Sequence, residues 1–424
     1  MGLMFFPRGG SAHVARNLAS TLPGVGWDVS IVSGSLSRPG RPGDARSFYR
    51  GLDVHPVDFT RALDAEDPLL ADPPLHPSYE DRADAPDRVF ASLPDAVAEH
   101  QTAAWCRALE AAGARDADVL HLHHLTPLHA AAELVAPDVP VVGHLHGTEL
   151  LMLEAIDADP ARWAHGPAWA ERMRRWAARC ERLLVLSPTQ DVRAERLLGV
   201  PPEQCVVVPN GFDPALFAPR EIDRGAHWAA NLEALAGYDG TVLLYVGRFT
   251  AVKRVPLLIE AYVHAQPAFA ERAPLVLVGG FPDEWEGERP QDAIARTAAR
   301  DVHLAGWHEH DALGAFLNAA DVVVLPSVAE QFGQVLVEGM ACARPVIAVD
   351  SHGPAEIVTP GETGWLVEGD DRDGLAAALV EAVNAPAERR RRGRRAREVA
   401  LERYAWPSLA ERVAAVYETA LAPA

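Results

Sequence analysis

The sequence predicts an α/β protein built from two doubly wound, parallel-sheet domains, and three observations carry that prediction. At 424 residues the chain exceeds what one ordinary core holds and suits two domains of roughly 200 residues each. Short apolar runs alternate with helical stretches of about ten to fifteen residues, the pattern of parallel strands joined through helices. In the second half, six such runs follow one another, and each ends in Gly, Pro, Ser, Asp or Glu. These are Val242–Val246, Leu275–Val278, Val302–Ala305, Val322–Leu325, Pro345–Val349 and Trp365–Val367.

The first half is less regular. Leu3–Phe6 reads as a strand, Pro7-Arg8-Gly9-Gly10-Ser11 as a turn, and Val14, Leu18 and Leu22 keep helical spacing from Ser11 onward. Trp27–Val32 is expected to be the second strand. From about Ser37 to Glu99 the text is rich in Pro, Asp and Arg with poor periodicity, which predicts a long irregular insertion of the kind that is usually functional or disordered. Strands resume at Asp118–His121, Val139–His144, Leu183–Leu186 and Val206–Val208. The turn-rich Pro209-Asn210-Gly211-Phe212-Asp213-Pro214 closes this sheet. Near the end, arginines at every register between Glu388 and Glu398 predict a solvated helix surface. Leu409, Val413, Val416, Tyr417 and Leu421 mark an amphipathic last helix.

Composition excludes several classes. A net charge of −20 argues against nucleic acid, whose binding runs on basic surface. Cys106, Cys180, Cys205 and Cys342 lie far apart with no CxxC, so neither a disulfide framework nor a structural zinc motif is expected. No signal peptide, myristoylation pattern or membrane-length apolar run is evident, and a cytoplasmic protein is expected. The acidic pairs Asp116/Asp118 and Asp157/Asp159 precede a strand and lie in a helix-rich region, so neither reads as a metal-holding loop. His121, His123, His124, His129, His144 and His146 cluster in sequence, but no carboxylate or cysteine follows at zinc-like spacing, and no metal is expected. Neither Gly9-Gly10 nor Gly279-Gly280 completes a dinucleotide-binding GxGxxG, which weakens an oxidoreductase reading.

The stretch from Asp321 to Glu338, DVVVLPSVAEQFGQVLVE, organises the second domain. Its buried run ends at Pro326-Ser327, and Gly333 opens a helical pattern through Val335, Leu336, Met340 and Ala341. Glu330 therefore falls in the loop at the carboxyl end of a strand, and Glu338 in the following helix. Ligands of open α/β sheets bind in that crevice, and a helix start offers free N–H groups to an anion. Two carboxylates beside such a helix start suit a ligand carrying both hydroxyls and phosphate, as a nucleotide sugar does. Arg248 and Lys253 leave the same carboxyl edge after the first strand of the sheet. Lys253 also stands out because all the other basic residues, 38 of 39, are arginine; a lone lysine suggests a place where a compact ammonium is needed.

Glu330-x7-Glu338 with Phe332-Gly333 between closely resembles the motif of the retaining glycosyltransferases of family 4, which have the two-domain GT-B fold. Gly247-Arg248-Phe249, Lys253, His352-Gly353-Pro354 and Gly361-Glu362-Thr363-Gly364 resemble it too. The resemblance implies two Rossmann-like domains facing across a cleft: an acceptor-side domain over residues 1–215, completed by a returning helix at 405–424, and a nucleotide-sugar domain over 216–404. It implies that Glu330 lies beside the donor sugar's hydroxyls and Glu338 bonds the ribose. Backbone N–H groups of Gly333, Gln334 and Val335, after Phe332, would meet sugar and diphosphate, and Arg248 and Lys253 the diphosphate. Gly9 and Gly10 would allow close backbone approach to donor phosphate or acceptor, and His146, before Gly147, would approach the donor sugar, with His144 as the fallback. The implied activity is metal-independent transfer of a hexose-type sugar from a nucleotide donor, UDP-linked first, to a small-molecule or glycan acceptor. A nucleotide-sugar epimerase on the same fold is the second reading, and a requirement for added acceptor separates the two.

Overall fold

The computed structural model describes residues 1–7, 9–37, 43–80, 86–280 and 286–422. The chain divides into two compact units, Met1–Pro209 together with the chain from Leu409 onward, and Asn210–Ser408.

The first unit holds a seven-stranded sheet of β1 (Gly2–Leu3), β2 (Ser30–Ser35), β3 (Asp53–Asp58), β4 (Leu120–His123), β5 (Val141–His144), β6 (Arg182–Val185) and β7 (Cys205–Val207). Its order is β3-β2-β1-β4-β5-β6-β7, with every pairing parallel. The second unit holds β8 (Leu243–Gly247), β9 (Leu275–Gly279), β10 (Val302–Gly306), β11 (Val322–Leu325), β12 (Val346–Val349) and β13 (Gly364–Val367). Its order is β10-β9-β8-β11-β12-β13, again all parallel. Each sheet reverses its winding once, between β1 and β4 and between β8 and β11. Chains leaving those strands diverge to opposite faces, which opens a crevice at their carboxyl ends.

All six runs read in the second half are strands. β11 and β12 are buried at every residue, as strands covered by helices on both faces must be. The first unit departs from expectation in three places. β1 ends at Leu3 rather than Phe6, because the Phe5 and Phe6 rings leave the ladder to pack on His76 and His124 at 4.9 to 5.1 Å. The second strand begins three residues late and continues through Ser33, Gly34 and Ser35. Trp27, read as its start, instead packs edge-on against Tyr417.

The third departure concerns the insertion. Residues 38–42 and 81–85 lie outside the described part, but the remainder is not irregular throughout. It supplies β3 and the helix Asp95–Ala111, and its loops put Leu69, Leu75, Phe90 and Leu93 into the core. β3 hides from periodicity because it is an edge strand, where Pro56 and charged ends are tolerated.

The arginine-rich helix, Pro386–Tyr404, also corrects an expectation. Arg389 and Arg392 are buried. Arg389 donates to Ala382 O, Val383 O and Thr241 Oγ1, while Arg392 bonds Gly364 O and Glu381 and lies 4.1 Å over the Trp365 ring. A forked guanidinium can satisfy several buried acceptors at once, so part of this run is structural cement. The last helix, Trp406–Leu421, buries Leu409, Val413, Val416 and Tyr417 and leaves Leu421 exposed.

Candidate active site

The crevice of the second unit collects most of the predicted residues. β8 and β11 are adjacent, so the chains leaving their carboxyl ends meet directly. After β8 the backbone turns at Gly247-Arg248, held by the buried Tyr245, whose hydroxyl donates to Arg248 O at 2.7 Å. Arg248 is exposed at this turn. A short 3-10 turn, Ala251–Lys253, follows, and Arg254 in the left-handed region (φ 52°) starts the helix Val255–Ala265. Lys253 thus ends a turn before that helix. The loop after β11 is tied to this turn, with Val328 N and Ser327 Oγ both donating to Val252 O at 3.1 Å.

That tie sets Lys253 against Glu330. The ammonium donates to Glu330 Oε2 in an ion pair whose side chains are 18% and 16% exposed. Phe332 is buried behind it, and the backbone turns at Gly333 (φ 99°), a conformation that strains any side chain. Gly353 lies so close behind that a Cβ there would come within 2.4 Å of Phe332 Cα and O. The helix Gln334–Ala341 starts immediately after Gly333, so its first N–H groups, at Gln334 and Val335, have no intrahelical partner.

Glu338 is 2% exposed. Its Oε1 accepts from His310 Nε2 at 2.7 Å and from Gln334 Nε2 at 3.2 Å, while Oε2 accepts from no described protein group. Gln334 Nε2 also donates to Gly211 O at 2.7 Å. His310, packed edge-on to Phe217 at 5.2 Å, was not singled out from the sequence. Its position in the loop leaving the carboxyl end of β10, past the exposed Trp307, was the available signal.

Gly9, Gly10 and His146 belong to the first unit. Gly9 is extended and caps the helix Gly10–Thr21, which follows β1 at that sheet's own point of reversal. A Cβ at either glycine would meet nothing within 4 Å among the described residues, so these do not demand glycine there.

His146 follows β5 and precedes Gly147 (φ 95°), which caps the helix Thr148–Ala158. Its backbone N–H donates to Glu149 Oε1 at 2.9 Å. Burial pushes the Glu149 carboxyl up, but His124 at 3.5 Å and two backbone N–H groups outweigh it and hold the group below its usual range. The fallback His144 is buried and bonded to His121 at 3.1 Å, whereas the His146 ring bonds His123 at 3.0 Å and is half-buried. One nitrogen from each of His121, His123 and His144 lies within 4.8 Å of the others. Their rings, however, stack within 15° to 23° of parallel, whereas ligands to one ion must aim their lone pairs at a common point. No helix among the described residues is long and apolar enough to cross a membrane.

Comparison with known proteins agrees with this geometry. Residues 8–216 match the family model "Glycosyltransferase Family 4", and residues 234–399 match "Glycosyl transferases group 1". The chain is 30% identical over 317 residues to D-inositol 3-phosphate glycosyltransferase 1 of Catenulispora acidiphila, covering 72% of this chain and 73% of that one. Among solved structures it resembles sucrose-phosphate synthase from Thermosynechococcus elongatus, with a TM-score of 0.70 at 22% identity over 97% of this chain and 93% of that one. It also resembles Anabaena HepE in complex with UDP-glucose, with a TM-score of 0.69 at 18% identity over 99% and 98%. The epimerase reading finds no support in these relatives. Two parallel-sheet units, the carboxylate pair at the second sheet's crevice and these matches lead to one conclusion: the chain belongs to glycosyltransferase family 4 and is a glycosyltransferase of GT-B fold.

Proposed function

We propose that this enzyme is a retaining transferase that moves a hexose-type sugar from a nucleotide donor, a UDP-sugar first, to a small-molecule or glycan acceptor, without a metal ion. The observation that carries the proposal is the Lys253–Glu330 pair beside the start of the helix Gln334–Ala341. An ammonium, a carboxylate and free N–H groups are the three things a sugar diphosphate needs.

As the glycosidic bond breaks, negative charge grows on the leaving diphosphate. Lys253, Arg248 and the N–H groups after Phe332 stabilise it, the work that a metal ion does elsewhere. Glu330, once Lys253 turns to phosphate, accepts from the sugar's hydroxyls and fixes its orientation. Glu338 offers its unoccupied Oε2 to the ribose while His310 and Gln334 hold Oε1. Gly9 and Gly10 give a substrate close backbone approach, and His146 contacts the sugar. The acceptor attacks on the face the diphosphate leaves, and a phosphate oxygen takes its proton, so the protein needs no base of its own and acts mainly by positioning.

Thermal-shift measurements with UDP-, GDP- and dTDP-sugars test the donor assignment, since a ligand at 100 times its Kd adds about 2.7 kcal/mol. Turnover of the donor so found, with and without an added acceptor, tests the transfer. A phosphorylated polyol is the first acceptor to try, given the name of the inositol-phosphate relative. Full donor turnover with no acceptor and no hydrolysis would favour the epimerase.

A further inference from the structure

The histidines of the first unit form an ordered assembly of which the proposed chemistry uses only His146. His121 and His123 alternate along β4, and His144 and His146 along and just past β5, so a period of two puts all four on one face of the sheet. β4 and β5 pair with His123 opposite His144. The rings make two hydrogen-bonded rows. In one, Tyr417 bonds His121 Nδ1, and His121 Nε2 bonds His144 Nδ1 at 3.1 Å. In the other, His123 Nδ1 bonds His146 Nε2 at 3.0 Å. The rows stack, His121 on His123 at 4.7 Å and His144 on His146 at 4.6 Å, within 15° and 12° of parallel.

We propose that His123 is a positioning residue that fixes His146 in its Nδ1–H form, so that His146 meets a substrate as a hydrogen-bond donor and not as a base. The substrate contact itself rests on the functional reading above; the coupling to His123 does not.

The argument runs through one atom. His123 Nε2 is buried and has no partner among the described residues. One proton lies between His123 Nδ1 and His146 Nε2, and it belongs to one ring or the other. If His146 donated it, His123 would carry its own hydrogen on Nε2, a buried N–H with nothing to receive it. If His123 donates it, only a lone pair is left unpartnered, and orphaned buried N–H groups are the rarer kind. Nε2 of His146 then accepts, and its single proton resides on Nδ1. That nitrogen bonds no described protein group and is open to solvent. Burial, followed by the neighbouring imidazoles, holds both rings well below the usual histidine range, so each is neutral at pH 7 and carries one proton. The neighbouring row stacks on both rings, His121 on His123 and His144 on His146. A neutral imidazole presenting N–H cannot take a proton at that atom; it can donate to a hydroxyl or carbonyl oxygen.

The test is side-chain nitrogen NMR on the full-length protein labelled at histidine, with the His146 and His123 signals assigned from His146→Asn and His123→Asn. In the parent, His146 Nδ1 should read as protonated and Nε2 as bare. His123→Asn puts an amide N–H close to the Nδ1 position and should keep that form. His123→Asp puts a carboxylate, which only accepts, close to the Nδ1 position, and His146 should then carry a proton on Nε2, with far-UV circular dichroism unchanged. A parent protein with His146 protonated at Nε2 overturns the proposal without any variant, and so does a bare Nε2 in folded His123→Asp. Adding UDP-glucose as the probe separates the two ideas. A His146 signal of the expected form that ignores a donor shown to bind would remove His146 from the substrate site and leave its coupling to His123 intact.

Discussion

Replacing Lys253 by alanine tests the centre of the mechanism. In the free enzyme this ammonium pairs with Glu330, and each side chain is about one-sixth exposed. Loss of a pair this close to solvent should cost about 1 kcal/mol of stability, or roughly 2–4 °C for a domain of this size. The catalytic loss should be larger. On the proposed mechanism Lys253 should face a desolvated diphosphate once donor is bound, and removing one partner of such a pair costs roughly 2–5 kcal/mol. That is about 30- to 4000-fold in kcat/KM. Lys253→Arg should be impaired as well, because a planar fork replaces a compact ammonium at the one basic position where this sequence keeps lysine. Glu330→Ala should separate the partners: it frees Lys253, so UDP should bind as well as to the parent or tighter, while kcat falls because the sugar loses its orienting carboxylate. Initial rates against donor concentration, UDP titration and melting curves read all three variants. A Lys253→Arg enzyme at the parent rate, or a Glu330→Ala enzyme that loses UDP binding but not kcat, would refute the reasoning.

Glu338→Ala should raise donor KM more than it lowers kcat, by about 10- to 150-fold, because charge-assisted bonds to a ribose contribute roughly 1.5–3 kcal/mol. An unchanged donor KM in a folded variant would remove Glu338 from the site. Activity should survive EDTA; loss restored by magnesium or manganese would contradict the assignment of the diphosphate to side chains and a helix start. Acid should destabilise the first unit well above the carboxylate range. Burial holds His129 down to about 4 and His144 down to about 3, while an exposed histidine titrates near 6.5. The unfolded chain therefore binds protons that the folded chain refuses, and stability present above pH 6.5 is lost as pH falls toward 4. The loss approaches about 1.4 kcal/mol per histidine per pH unit. Urea unfolding between pH 7 and 5 measures it, and a flat profile would mean these rings are solvated.

Most of the second unit was legible in the linear text because its signals are local. Six apolar runs ending in turn residues, and a glycine opening a helical pattern eight residues after Leu325, need no knowledge of what lies across the sheet. The family motif could be read for the same reason: its carboxylates lie on one loop and the helix that follows. The first unit resisted where local text and environment disagree. β3 carries proline and polar residues because an edge strand has one ladder to satisfy rather than two. Phe5 and Phe6 extend an apolar run beyond its strand because the core lies under the loop as well as under the sheet.

By itself, then, the sequence determined the fold class, the parallel second sheet and the residue types gathered at its carboxyl edge, since these follow from periodicity, turn chemistry and motif spacing. Only the tertiary structure decided who touches whom. Lys253 meets Glu330 across 77 residues, His310 meets Glu338 across 28, and His123 meets His146 across 23. Arg389 and Arg392 turn out to be buried although their segment looks like surface. Each of these partnerships depends on which strands become neighbours and in which register, and that order is set by how the whole chain packs rather than by any window along it.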